Sequence, residues 1–447
     1  MEGYDVIVVG GSAAGTTAAI TARRHYPGKS ILLLRKENQV PIPCGIPYMI
    51  GSVDDPGKNL IPVDTMMAGN RVDTRVDEVC RIDRAQKIVQ TASGAQWAYD
   101  RLILATGSIP LVPNLPGSDL EGVYAIWKDI PYLSNMLQCL QGQQHICIVG
   151  GGFIGVEIAE ECRKRCPDSI VTIVEIQKHC LQLVYDEEFC LLAEDKLREQ
   201  GIQLLSDEKV EAIGGNGKVE RIQLASGKTL KADMVILGIG AIANTILAAE
   251  AGLDIGPARG IQVNSHMQTS DPTIFACGDC ADKVSFFDGM PSPLKLASIA
   301  TMEARIAGAN LFSIKRENVG VIGAYATVLG NTAFAAAGLT VAQAKQKGYS
   351  ISTGMAEAPN RHPGCMPGAA NMKVKLVFNT LNHVLIGGQV TGALSGGELI
   401  NVISACILRK MTADDIAMFQ VGTHPALTAS PIAYQLVNAA EMAIAGM

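Results

Sequence analysis

Short apolar runs punctuate this chain, and several of them end on glycine. Tyr4-Asp5-Val6-Ile7-Val8-Val9 leads into Gly10-Gly11-Ser12-Ala13-Ala14-Gly15, and about 140 residues later His145-Ile146-Cys147-Ile148-Val149 leads into Gly150-Gly151-Gly152-Phe153-Ile154-Gly155. Apolar runs of this length bounded by turn residues predict buried strands. The Ala-, Ile- and Glu-rich stretches after each loop predict helices, the first over 13–26. Second strands are predicted at Ser30-Ile31-Leu32-Leu33-Leu34 and Val171-Thr172-Ile173-Val174-Glu175. Two further runs enter glycine turns, Leu102-Ile103-Leu104-Ala105-Thr106-Gly107 and Thr273-Ile274-Phe275-Ala276-Cys277-Gly278-Asp279, and a helix is predicted from Ala297. The twofold strand–glycine–helix order predicts an α/β fold with two Rossmann-like dinucleotide-binding domains.

In such a unit the loop seats a pyrophosphate on a helix N-terminus. In the first loop Gly10 permits the tight turn, Gly15 permits close helix–strand packing, and Ser12 replaces the middle glycine. The second loop fits the fingerprint fully. Glu175 ends its second strand 25 residues after Gly150, where it would accept from both ribose hydroxyls and repel a 2′-phosphate, favouring NADH over NADPH. In the first half that place is taken by Arg35, followed by Lys36 and Glu37. A doubly basic end would suit a ribose phosphate, but the segments at 102–107 and 273–281 favour FAD, with Asp279 accepting from ribityl or ribose hydroxyls. Arg35 would then stack on adenine or point to solvent while backbone groups hold the ribose. Phe153 stands where it would cover a nicotinamide face or pack in a core.

The chain has 447 residues, a net charge of −6 and no long basic block, which argues against nucleic acid. The first strand begins too early to leave room for a signal peptide, and no apolar run approaches a membrane span, so a cytoplasmic protein is expected. The twelve cysteines show no framework spacing. Cys277 and Cys280, and the pair Cys162 and Cys166, read as packing residues, since neither has the partners a metal site needs. Cys44 differs. Pro43-Cys44-Gly45-Ile46-Pro47-Tyr48-Met49-Ile50 reads as a bend entering a helix with Pro47 in its first turn. A thiol at a helix N-terminus has a lowered pKa, and the thiolate is the nucleophile.

The two loops, Ala105-Thr106-Gly107, Cys277-Gly278-Asp279 and Cys44 with Gly45 and Pro47-Tyr48 resemble the pyridine nucleotide–disulfide oxidoreductase family. The resemblance is to its single-cysteine branch of CoA-disulfide reductases, polysulfide or persulfide reductases, NADH oxidases and NADH peroxidases. It implies an FAD domain in two pieces (1–114 and 246–320), an NAD domain (115–245) and a C-terminal α+β dimerisation domain (321–447), in a homodimer with a composite active site. FAD contacts would come from Gly10, Ser12, Ala13, Ala14, Gly15, Arg35, Lys36, Ala105, Thr106, Gly107, Asp279 and Ala297. NADH contacts would come from Gly150, Gly152, Phe153, Ile154, Gly155, Glu157, Glu175 and Gly240. Dithiol members carry a second cysteine where this chain has Met49, so an internal disulfide of that kind is excluded.

The resemblance implies that NADH delivers electrons through FAD to an oxidised adduct of Cys44. The Pro-Cys-Gly-Ile-Pro-Tyr context favours a sulfur–sulfur substrate such as CoA disulfide, CoA persulfide or polysulfide, with coenzyme A as substrate or adduct. Arg23 and Arg24 would hold CoA phosphates or form a solvated helix end. The CoA enzymes carry a tyrosine pair where this chain reads His362-Pro363-Gly364-Cys365, and Cys365 would act as a resolving thiol from the other subunit or simply pack. His424 matches a partner-subunit acid–base histidine, without its usual glutamate. The alternatives are an NADH oxidase or peroxidase using oxygen or hydrogen peroxide, and a flavoprotein reductase of an electron-carrier protein.

Overall fold

The computed structural model describes residues 2–447. Ile31, Leu32, Leu33 and Leu34 are at most 1% exposed; burying each such side chain is worth about 1.5–3 kcal/mol, so this run occupies the interior of a sheet covered on both faces. Around it lie β1 (Glu2–Val9), α1 (Ala13–His25), β2 (Ile31–Arg35), α2 (Val63–Gly69), β3 (Asp73–Val76), β4 (Val79–Asp83), β5 (Ile88–Thr91) and β6 (Gln96–Leu104). The strand order is β3-β2-β1-β6-β5-β4, with the distant strand Ile274–Ala276 also on β6. β1 pairs in parallel with both β2 and β6, in the register Val9↔Leu34 and Val9↔Leu104, which brings the three strand ends to one edge. The helix Ala297–Asn310 packs on α1. Their approach is close: a Cβ at Gly308 would lie 2.6 Å from the Ala18 carbonyl oxygen.

Contacts group the chain into two compact units: residues up to Pro113 with Ala125–Gln141 and Ile239–Val321, and Asn114–Tyr124 with Gly142–Gly238 and Ile322–Met447. In the second unit Gln203–Leu205, Ile170–Val174, His145–Val149 and Met234–Leu237 lie side by side in parallel. The same unit contains a five-stranded antiparallel sheet, ordered Ala324–Leu329, Thr332–Gly338, Leu385–Gly392, Asn371–Asn379 and Ile351–Pro359, and a smaller three-stranded one, Val210–Asn216, Lys218–Leu224 and Thr229–Lys231. Asp186 ties the two layers of this unit together. Its carboxylate accepts from Gln389 Nε2 at 2.7 Å, Lys375 Nζ at 2.8 Å and the Val341 amide at 2.9 Å. A buried carboxylate so fully met is tolerated where an unpaired one would not be.

The architecture is the expected mixed α/β one. Among the described residues no helix is long and apolar enough to cross a membrane, and no His/Cys/Asp/Glu group has a metal-site arrangement.

Candidate active site

The first glycine loop has no room for side chains on its walls. Gly10 has φ +118°, and a Cβ there would stand 2.2 Å from the Ala105 carbonyl oxygen; one at Gly15 would stand 1.8 Å from the Gly10 oxygen. The Ala105 amide donates to Val9 at 2.8 Å, and Gly278, at φ +80°, abuts the Ala14 methyl group. Residues 10–15, 105–107 and 278–279 therefore meet at one edge of the sheet. Around Gly107 nothing lies within 4 Å of a Cβ position. Ser12 is the N-cap of α1 but makes no side-chain cap, and Ala13 and Ala14 carry no oxygen that could, so the first amides stay available to an anion. Ala297 opens its helix in the same way, exposed and uncapped. Tight walls around an open floor, with two uncapped helix starts, fit the pyrophosphate and flavin ends of FAD.

Asp279 sits in a one-turn helix, Gly278–Cys280, and accepts the Ser108 hydroxyl at 2.7 Å. Lys128 Nζ donates to Ser108 Oγ at 2.8 Å and lies 3.6 Å from the Asp279 carboxylate, leaving the other carboxylate oxygen for a ligand hydroxyl. Thr106 Oγ1 donates to the Asn244 carbonyl at 2.6 Å, and the Asn244 amide to Gly107 at 2.9 Å. Ser108, Lys128 and Asn244 carry no motif, and only the fold reveals them. Gly240, with φ +100°, accepts from the Leu111 amide at 2.9 Å and so shapes a chain crossing. Behind the turn, buried Glu303 accepts the Gly278 amide at 2.9 Å, and buried Lys283 lies 3.2 Å from Glu303 while donating to the Gly278 carbonyl. Gly278 is thus held from both sides.

Two expectations about basic residues change. Arg35 neither stacks outward nor points to solvent: it is 3% exposed, and its guanidinium pairs with Asp64 and with the carbonyls of Glu37 and Asn38. Lys36 is the exposed member, loosely paired with Glu37 at 3.9 Å. Arg23 donates to the carbonyls of Pro27, Lys29, Asn70 and Arg71, which spends its guanidinium on the backbone. Arg163 holds Pro167, Ser169 and Gln200 in the same way after the second loop. Arg23 is therefore a fold element, and Arg24 alone is exposed for a ligand.

The second loop repeats the first. A Cβ at Gly155 would lie 1.9 Å from the Gly150 oxygen, while Gly152 faces open space. Glu175 accepts the Gly151 amide at 2.5 Å and the Gln177 amide at 2.6 Å, and each of its oxygens retains a lone pair for a ribose hydroxyl. Ile154 is exposed on the first turn of the helix Phe153–Arg165. Phe153 is partly buried, stacked on Tyr325 at 5.3 Å between centroids and edge-on to Tyr185 at 6.1 Å.

Glu157 accepts the Thr327 hydroxyl at 2.7 Å. Burial pushes its carboxyl from 4.5 up to about 7, partly offset by that hydroxyl, with Glu160 and Glu161 adding repulsion. Below pH 4.5 both folded and unfolded forms are protonated; as pH rises to 7 the folded form holds a proton that the unfolded form has lost, so stability falls and then levels off. Glu157→Gln is expected to be more stable than the wild type by on the order of 2–3 kcal/mol at pH 8 and equal to it near pH 4. Denaturant melts at both pH values check this, and a pH-independent difference would contradict it.

Cys44 lies exposed in the turn Pro43–Gly45, which is followed by a second turn, Pro47–Met49. The expected helix does not form. The amides of Ile46, Met49 and Ile50 return to the carbonyls of Pro43, Ile46 and Pro47, three residues back and not four, so the segment closes as two 3₁₀ turns. Cys44 therefore sits in a three-residue turn and not at the N-terminus of an α-helix. What fixes the turn is buried Asn59, whose amide nitrogen donates to the Ile42 carbonyl at 2.9 Å and whose oxygen lies 2.0 Å from any Cβ at Gly45. Cys277 and Cys280 are fully buried and burial pushes both thiols up, as packing residues require.

Cys365 is exposed in the 362–368 loop. The His362 amide donates to the Pro425 carbonyl at 3.1 Å and His362 Nδ1 lies 2.9 Å from the Thr428 carbonyl, so the Cys365 and His424 loops are neighbours. His424 Nδ1 accepts the Ala426 amide at 3.2 Å, which places its neutral-form proton on Nε2, and the residue is exposed.

A family model described as pyridine nucleotide-disulphide oxidoreductase matches residues 4–304, and that family's dimerisation domain matches 325–432. The NADH oxidase of Methanocaldococcus jannaschii is 30% identical over 422 residues, covering 92% of each chain. The NAD(P)H coenzyme A polysulfide/persulfide reductase of Pyrococcus horikoshii is 29% identical over 395 residues, covering 87% of each. The solved NAD-dependent persulfide reductase of A. fulgidus superposes with a TM-score of 0.91 at 28% identity, over 99% of this chain and 83% of that one.

Proposed function

The chain belongs to the pyridine nucleotide-disulphide oxidoreductase family, and from that premise we propose that it uses NADH to reduce a sulfur–sulfur bond, as in CoA disulfide, CoA persulfide or polysulfide. FAD and NADH are its cofactors. The observation that carries the reading is an exposed cysteine, Cys44, held on the Asn59-pinned turn of a chain with two glycine cradles. In the proposed division FAD is held by 1–114 and 246–320, NADH by 115–245, and the partner subunit is met by 321–447.

The Cys44 thiolate attacks one sulfur of the substrate, forming a mixed disulfide or persulfide as the S–S bond breaks and the departing thiolate takes a proton. Bound FAD supplies the relay of an electron pair from NADH to that adduct. With the adduct reduced, Cys44 is again a thiolate, and one disulfide, one NADH and one proton have become two thiols and NAD⁺. From the partner subunit, His424 exchanges the proton, and Cys365 attacks the Cys44 sulfur of a mixed disulfide, expelling the second substrate thiol and leaving a Cys44–Cys365 disulfide as the adduct that takes the electron pair and returns to two thiols. Arg24 meets the CoA phosphates.

The rival acceptor is oxygen or peroxide, favoured by the M. jannaschii relative's name. An oxygen electrode separates the two. The sulfur reading expects slow NADH loss in air that accelerates when CoA disulfide is added, with no matching oxygen uptake. With Cys365→Ser, only the disulfide-dependent rate should fall; unchanged traces would remove Cys365 from the mechanism.

A further inference from the structure

The same step of 140 positions carries Gly10 to Gly150, Gly15 to Gly155, Arg23 to Arg163 and Arg35 to Glu175. The two halves differ in sign at the last pair. Glu175 lies along Gly151, its carboxylate 3.1 Å from a Cβ placed there, and accepts two backbone amides. Arg35 lies along Gly11 in the same manner, with its Cδ 2.7 Å from a Cβ at that glycine, but it can only donate. Where Gln177 turns its amide toward Glu175, Glu37 turns its carbonyl toward Arg35, at 2.5 Å. The peptide after the strand has been reversed to suit a cation.

The acceptor missing from the strand end reappears next to it. Asp64, in the first turn of α2, receives Arg35 Nη2 on both carboxylate oxygens at 2.8 and 2.7 Å, and the Thr74 hydroxyl at 3.2 Å. Hydrogen bonding to Arg35 holds its carboxyl below the usual range. The pair is lopsided: the arginine side chain is 2% exposed and the aspartate 69%. One guanidinium donor, Nε, is buried with no hydrogen-bond partner. Such an orphan is uncommon in a folded protein, and a ligand oxygen would relieve it.

We propose that Arg35 and Asp64 together are the ribose-binding element of the first nucleotide site, Asp64 accepting from an adenosine hydroxyl of FAD and Arg35 Nε donating to an oxygen of the same diol. Arg35 positions Asp64 and keeps it ionised. The proposal rests on FAD occupying the first loop. It adds a residue that no motif marks, since Asp64 lies 29 positions beyond the strand end where the acid is expected.

The test is equilibrium binding of FAD, FMN and FAD lacking the adenosine 2′-hydroxyl to protein stripped of flavin, read by fluorescence. FMN has no adenosine and reports whether the flavin end of the site remains folded. For Asp64→Ala the FAD dissociation constant is expected to rise about tenfold or more, with FMN binding unchanged. The wild type should lose affinity for the deoxy analogue, and the variant should lose little more. Asp64→Asn, which keeps the shape, should fall between. Unchanged FAD affinity in Asp64→Ala, equal losses of FAD and FMN, or full additivity of the variant and the deoxy analogue would each overturn the assignment. If the wild type bound FMN as tightly as FAD, the placement of FAD itself would fail, before any variant was made.

Discussion

Cys44→Ser is expected to lower NADH-driven reduction of CoA disulfide or persulfide by roughly three orders of magnitude or more, while FAD content stays at the wild-type level. A serine hydroxyl does not ionise at neutral pH and cannot exchange with a disulfide, so the covalent adduct never forms. Cofactor retention follows from position. Cys44 is exposed on a turn held by Asn59 and by backbone bonds among residues 42–50, which a serine of nearly the same size leaves in place. Steady-state rates with sulfur substrates, beside the flavin absorbance of the purified variant, check both halves. Full turnover in the variant would favour reduction of an electron-carrier protein, which needs no sulfur adduct.

Gly155→Ala and Gly15→Ala should separate the two nucleotide sites. An alanine methyl at 155 would sit 1.9 Å from the Gly150 carbonyl oxygen, and one at 15 would sit 1.8 Å from the Gly10 oxygen. Both obstacles are backbone, so neither can move without displacing the loop that offers amides to a pyrophosphate. Losing two charge-assisted hydrogen bonds at about 1.5–2 kcal/mol each lowers affinity roughly a hundredfold or more. Gly155→Ala is therefore expected to purify with FAD but bind NADH that much more weakly, and Gly15→Ala to purify with little FAD. Titration with NADH and flavin quantitation of each variant decide it. Loss of FAD in Gly155→Ala and its retention in Gly15→Ala would reverse the assignment of the loops.

Most of the framework was legible because it depends on local rules. The runs before Gly10 and Gly150 are strands, and the predicted helix over 13–26 forms as Ala13–His25. The meeting of 10–15 with 105–107 and 278–279 follows from three apolar strands, each of which runs into a glycine turn at the same sheet edge. What failed depended on partners far away in sequence. Arg23, expected either to hold CoA phosphates or to form a solvated helix end, does neither, because the carbonyls of Asn70 and Arg71 occupy it. Arg35 had no visible counter-ion because Asp64 belongs to another element. The helix expected to start at Pro47 is a single 3₁₀ turn because the amides of Met49 and Ile50 bond three residues back, beside a turn that distant Asn59 pins at Ile42.

The most direct measurement is NADH oxidation by the purified enzyme without oxygen, before and after CoA persulfide is added. We expect little loss of NADH alone, then rapid oxidation with one hydrogen sulfide and one CoA thiol formed per NADH consumed. An enzyme that stays idle with CoA persulfide, CoA disulfide and polysulfide and turns over only when oxygen or peroxide is admitted would contradict the sulfur–sulfur assignment and establish an oxidase or peroxidase.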